Sequence, residues 1–285
     1  MDKIFDHMKT RFILMWAIIS FVIMMFILPL LFKEIPKDVK LNIALIISIY
    51  AIPMFWIVFK FKKYDISFKT YLSKPSSFSF RKIFASAIMT MLFGLGMLLL
   101  IVMLFSLIPK STSLEDTNEI VKTQSMWFIL MKAITLSFIA PICEEILFRG
   151  FILSRFTYKF RLKKAVIFSS ICFGVLHLSN VFGATIFGII SCLMYLKTKS
   201  LFPSIIAHMV NNIIVASRDI FSALQSTTTS TASAQPELTI ILLMSIVLIT
   251  IGLMWIIPFI RRHSELLRYD SLPPLKYTTS KLKFL

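Results

Sequence analysis

Four residues of this chain could do chemistry together: Glu144, His177, His208 and Asn212. A carboxyl group with two imidazoles, and no activated Ser or Cys, is the equipment for activating water. Glu144 would take the proton and His177 would orient the water. His208 and Asn212 can donate hydrogen bonds to the oxyanion of a tetrahedral intermediate. The set allows hydrolysis of a peptide or ester bond. Glu145 and Arg149 stand four apart with the acid first, the favourable order for a pair on one helical face. That pairing leaves Glu144 as the carboxyl without a local partner. Phe173 and His177 are four apart, as are His208 and Asn212, while Asn211 points elsewhere. Gly174 permits close approach of a neighbouring helix. Pro141 cannot donate to the carbonyl of Ser137, which predicts a kink beside the acids. Taken singly, a His in a span is packing and a Glu/Arg pair is glue. Two acids, two His and an Asn on three hydrophobic segments read as a site.

Two other versions of the chemistry exist. Glu144, His177 and His208 are also the ligand types of catalytic zinc. Zinc would lower the pKa of a bound water. The HExxH signature is absent, however. If Glu144 is the base and Glu145 is paired with Arg149, only two good ligands remain. The metal-free version is therefore favoured, with no cofactor. A Cys nucleophile is the weaker option, because Cys143 and Cys172 lack the electropositive setting a thiolate needs. The three Cys are odd in number and lie in apolar segments, so they read as small buried hydrophobes rather than as a disulfide framework. Lys132 sits near a span end and can snorkel.

These polar groups must be positioned by helices that live in lipid. The chain has 285 residues, 57% hydrophobic and only 16% charged. Soluble domains are about 45–50% apolar and about 25% charged, so a water-soluble enzyme is excluded. Mean hydropathy is +0.83. The formal charge of +17 falls between hydrophobic spans, where it attracts anionic headgroups and sets orientation. Nucleic acid is not an indicated partner. The spacing predicts an all-α, polytopic transmembrane helix bundle with spans near 12–32, 41–59, 83–108, 126–148, 165–178, 181–196, 201–217 and 238–260. No cleavable signal precedes the first span. The stretch from Ala165 to Leu196 would be about 48 Å long as one helix, against a hydrocarbon core of roughly 30 Å. A break near Ser179-Asn180 gives two short spans and eight in total. Most of the 31 basic residues then fall on the inner side, which predicts N-in/C-in. One membrane domain spans 1–260, followed by a basic cytoplasmic tail at 261–285. The polar stretch 226–235 reads as an outside loop.

The ordered motifs EExxxR (Glu144, Glu145, Arg149), FxxxH (Phe173, His177) and HxxxN (His208, Asn212) resemble the CAAX-protease and bacteriocin-processing (CPBP, or Abi) family of intramembrane endopeptidases. The resemblance covers residues 125–217, including GATIFGIISCLMYLKTKSLFPSIIAHMVNN between the second and third motifs. It implies that Glu144 activates water, that Arg149 supports Glu145, and that His177 assists the water. His208 and Asn212 would hold the oxyanion, and Phe173 would shape the site. No motif position departs from the pattern. The family includes members described as metalloproteases and others described as metal-free. Its bacterial members are linked to bacteriocin maturation, self-immunity, pheromone processing and surface-protein control. The Lys-, Ile- and Phe-rich composition fits a low-GC bacterium, hence a multi-pass protein of a bacterial cell membrane.

The leading reading is an endopeptidase whose partners are the bilayer and a peptide or membrane-protein substrate. The sequence carries no mark of an oligomeric state. One rival is a non-catalytic membrane interaction or immunity protein, which would keep the motif residues as packing. The other is a proton-coupled transporter, since Glu and His in spans also form proton relays. Against that reading, the chain has no inverted repeat.

Overall fold

The computed structural model describes residues 8–75, 79–107, 126–226 and 237–268. Most of the 226–235 stretch and the tail beyond 268 lie outside the described residues. Among the described residues every regular element is helical. The main helices are α1 (Thr10–Leu31), α2 (Lys37–Lys63), α3 (Phe80–Ser106) and α4 (Trp127–Lys159), then α5 (Leu162–Leu176), α6 (Val181–Thr198), α7 (Phe202–Ser226) and α8 (Leu238–His263). A short turn of helix, Phe68–Tyr71, lies between α2 and α3.

These are eight helices, as the pattern predicts, but they are not equally membrane-like. Among the described residues six stretches are long and apolar enough to cross a bilayer, and α5 and α7 are not among them. At 15 residues α5 reaches about 22 Å, short of the hydrocarbon core. The sequence of α7 carries His208, Asn211, Asn212, Arg218 and Asp219. The two helices that fall short are two of the three that carry the site. Large apolar side chains such as Leu14, Phe26, Leu30 and Met254 are exposed on the outer faces of α1 and α8. In water so much exposed apolar surface would be an aggregation liability, whereas in lipid it is the solvent face. The protein is an integral membrane protein.

The fourth helix departs from expectation. Its apolar run ends at 148, yet the helix continues to Lys159. Arg149 is therefore in mid-helix and fully buried, not in a basic loop. The helix α8 likewise runs past Ile260, and His263 is buried. Cys172 is exposed on α5, while Cys192 is buried and Cys143 intermediate. The reading of all three as buried is thus corrected for Cys172, which lies on an outer face.

Three wide π turns interrupt the long helices: Ile46–Ala51 in α2, and Thr135–Ile139 and Ile146–Ile152 in α4. Two of them lead into prolines. The amide of Ala140 reaches back five residues to the Thr135 carbonyl. In that register the next amide would serve Leu136, but it belongs to Pro141 and has no hydrogen. The Leu136 carbonyl is therefore left without that main-chain donor. Asn212 Nδ2 donates to it at 2.7 Å. In the third wide turn the Phe148 carbonyl accepts the hydroxyl of Ser169 at 3.2 Å. Side chains from α5 and α7 thus supply hydrogen bonds to the irregular backbone of α4.

The helix ends rich in basic residues gather together. Met8, Phe61, Tyr71, Leu162, Leu196 and Leu201 form one buried cluster there. The α2–α3 link is fastened beneath the α6–α7 turn by two bonds. The Leu201 amide donates to the Tyr71 carbonyl at 2.7 Å, and Ser200 Oγ donates to the Ser73 carbonyl at 2.6 Å. A second cluster, around Phe93, Phe148, Phe173, Phe187 and Phe259, joins α3 and α8 to the helices of the site. The helices α3 and α6 meet at Gly94 and Gly183. A Cβ on Gly183 would stand 2.6 Å from Gly94 Cα and 2.5 Å from Asn180 Oδ1. Backbone cannot yield as a flexible side chain does. We expect Gly183→Val to cost about 1–3 kcal/mol, read as a lower thermal midpoint in detergent. An unchanged midpoint would mean that α3 and α6 are not held this closely.

Candidate active site

The acids come from α4, one His from the end of α5 and the other from α7. Glu145 and Arg149 are both fully buried and bonded, Arg149 Nη1 to Glu145 Oε1 at 2.8 Å. The guanidinium stacks on the Phe173 ring, 4.4 Å from its centroid, with Phe187 at 5.8 Å. His208 Nδ1 completes the group, 3.1 Å from Glu145 Oε1. One carboxylate oxygen thus ties α4 to α7, and Phe173 packs α5 against both.

His177 stands outside the helix proper. It leaves helical geometry at φ −98° and ψ 62°, and its amide turns back to the Gly174 carbonyl. The Phe173 carbonyl thereby loses the amide an α-helix would give it. The His177 ring takes that place, Nδ1 donating to Phe173 O at 2.8 Å. The chain break expected near Ser179-Asn180 is a single 3-10 turn, Leu178–Asn180, capped by the Asn180 side chain on the Gly183 amide.

Both imidazoles therefore use Nδ1 on an oxygen that can only accept. Their Nε2 atoms, unprotonated in the neutral rings, face Glu144. Glu144 Oε2 lies 3.7 Å from His177 Nε2 and 3.8 Å from His208 Nε2. These separations exceed hydrogen-bond length. Three groups converge on one point without bonding to one another. Glu144 Oε2 has no hydrogen-bond partner among the described residues, whereas Oε1 accepts the hydroxyl of Tyr50 at 3.2 Å.

The three ligand atoms lie within 4.8 Å of one another. Two imidazole nitrogens and a carboxylate oxygen fit a three-ligand catalytic zinc site. The outward bonds of the imidazoles, one to a carboxylate and one to a carbonyl, are the usual supports of such ligands. The same atoms fit a water held between acceptors.

Of the residues singled out from the sequence, Glu144, Glu145, Arg149, Phe173, His177 and His208 come together in this group. Asn212 is one turn from His208 on α7, and the Leu136 carbonyl anchors its amide. Lys132 forms an ion pair with Asp219 at 3.2 Å, half-exposed and away from the acids. Such a pair contributes about 0–1 kcal/mol. Tyr50 is the residue the sequence reading missed. It belongs to no motif, but a phenol in the middle of an apolar run needs a hydrogen-bond partner, and that was the available signal. An apolar cavity of about 310 Å³ between α2 and α4 is lined by Tyr50, Met54, Phe55, Ile139 and Cys143.

Residues 125–214 match the family model described as Type II CAAX prenyl endopeptidase Rce1-like. The match contains all three motifs and bears out the resemblance read from them. No curated protein and no solved structure matches the chain.

Removing Arg149 strands the buried Glu145 charge. Breaking a buried pair from one side costs about 3–5 kcal/mol. Arg149→Ala should lower membrane yield and thermal midpoint together with activity. Normal yield with lost activity would give Arg149 a direct part in the chemistry.

Proposed function

We propose, from the match of residues 125–214 to a CAAX prenyl endopeptidase family, that this chain is an intramembrane endopeptidase using water activated at Glu144. One observation carries the reading: Glu144 Oε2, unbonded, faces two imidazole nitrogens at 3.7 and 3.8 Å. Glu144 takes the proton of the attacking water. His177 Nε2 accepts the water's other hydrogen and orients it. His208, when protonated, turns an Nε2–H to the oxyanion while Nδ1–H stays on Glu145. Asn212 Nδ2 carries two hydrogens. One is held by Leu136, and the other serves the oxyanion. Glu145 and Arg149 keep His208 in place, and Phe173 seals the group from below.

A shortage of carboxylates supports a glutamate-type mechanism. Glu145 is committed to Arg149 and His208, so Glu144 is the only free carboxylate of the group and can be base or ligand but not both. The outward Nδ1 bonds favour a second reading, in which Glu144, His177 and His208 hold zinc. Bound zinc would supply a Lewis acid and an acidified water. We expect cleavage to survive exhaustive chelation in detergent. Loss on chelation with restoration by zinc would make Glu144 a ligand.

The gathered basic helix ends support N-in/C-in by the positive-inside rule. His208 lies about 10 Å along α7 from that end, which supports peptide entry from the cytoplasmic side. The composition supports a bacterial cell membrane, with peptide, bacteriocin or pheromone processing or self-immunity as the setting.

Glu144→Gln keeps the shape of the side chain but cannot accept the proton. Comparing peptide termini in membranes and medium from cells with wild type or this variant tests the proposal. Termini present only with wild type are expected. Identical termini, with a cellular phenotype that survives the substitution, would mean that the protein acts by binding.

A further inference from the structure

The geometry assigns Tyr50 to the hydrolytic site as a positioning residue, supplied by a helix outside the matched segment 125–214. The assignment rests on the proposed role of Glu144. The two oxygens of Glu144 have different surroundings. Oε1 accepts the Tyr50 hydroxyl at 3.2 Å, and Oε2 faces the imidazoles without a hydrogen bond. The terminal torsion of a glutamate is broad and roughly two-fold. The imidazoles, at 3.7 and 3.8 Å, are too distant to fix it. The Tyr50 bond is what makes one oxygen the anchor and the other the base.

Tyr50 is well held for this task. It lies in the wide turn Ile46–Ala51, closed by the Ile52 amide on the Ile47 carbonyl, with Pro53 next. Its ring shares a cavity wall with Ile139 and Cys143 of α4. A phenol keeps its proton at neutral pH, so Tyr50 donates and the carboxylate accepts. The contact joins α2 to α4 across 94 residues of chain. The matched segment therefore carries the reacting groups, and the amino-terminal half sets the orientation of one of them.

The experiment uses the full chain in detergent and Tyr50→Phe, which keeps the ring and removes only the hydroxyl. The probe is a synthetic peptide spanning the first terminus that appears with wild type and not with Glu144→Gln. Losing a partner that orients an active group typically lowers activity about 10–100-fold. We expect kcat to fall at least about tenfold with KM and the thermal midpoint unchanged. Phe55→Ala, on the exposed rim of the same cavity, should leave kcat as it is. Wild-type kcat in Tyr50→Phe, or an equal loss in Phe55→Ala, would overturn the assignment while leaving Glu144 as the base. Absence of any Glu144-dependent terminus would instead remove the endopeptidase reading, and this assignment with it.

Discussion

The fully buried pair of Glu145 and Arg149 is the contact on which the rest of the site depends. A single charge in that position would be expensive to hold in a low-dielectric interior. The pair, with the ring and imidazole packed on it, offsets that penalty, while Glu145 Oε2, Arg149 Nε and Arg149 Nη2 have no hydrogen-bond partner among the described residues. Arg149 has its carboxylate partner at 2.8 Å and an aromatic face at 4.4 Å. Glu145 has the guanidinium and the imidazole of His208. Once this group is in place, α4, α5 and α7 have one way to sit together. Glu144, one residue earlier on α4, is then directed at the gap between the two imidazoles.

The division between paired and unpaired acid is a consequence of helix geometry. Adjacent residues on a helix point about 100° apart. Two consecutive glutamates point different ways, so one faces Arg149 and the other is turned toward α2 and the imidazoles, with His208 standing between them. The first is held as a fixed charge within the packing. The second keeps one oxygen available. A diad of acids that looks redundant in the sequence is thus two residues with separate surroundings.

Much of this was legible in the sequence, and the limits have physical causes. The motifs identified the reacting groups because polar residues in apolar spans are few and conspicuous. The favourable order of Glu145 and Arg149 gave the intrahelical pair. Helix number followed from hydropathy and charge. The end of α4 was missed because charges such as Arg155 look like those of a loop, and only tertiary packing lets such residues be buried. The free carbonyl of Leu136 depends on a wide turn, for which hydropathy has no signal. Tyr50 was missed because its partner is 94 residues away. Periodicity reports which face a residue is on, not what stands opposite.

The wide turns also divide the bundle into two kinds of backbone. The helices α3 and α6 are α-helical throughout, without an interior proline. At Gly94 and Gly183 main chain rests on main chain, so neither helix can slide without breaking contact along its length. The helices α2 and α4 each hold turns whose hydrogen bonds span five residues. Tyr50 and Glu144 stand on the helices that hold these turns, while His208 stands on a helix fastened at its start. In mechanical terms the base and its anchor are seated on irregular backbone, and the imidazole opposite them on a fastened helix.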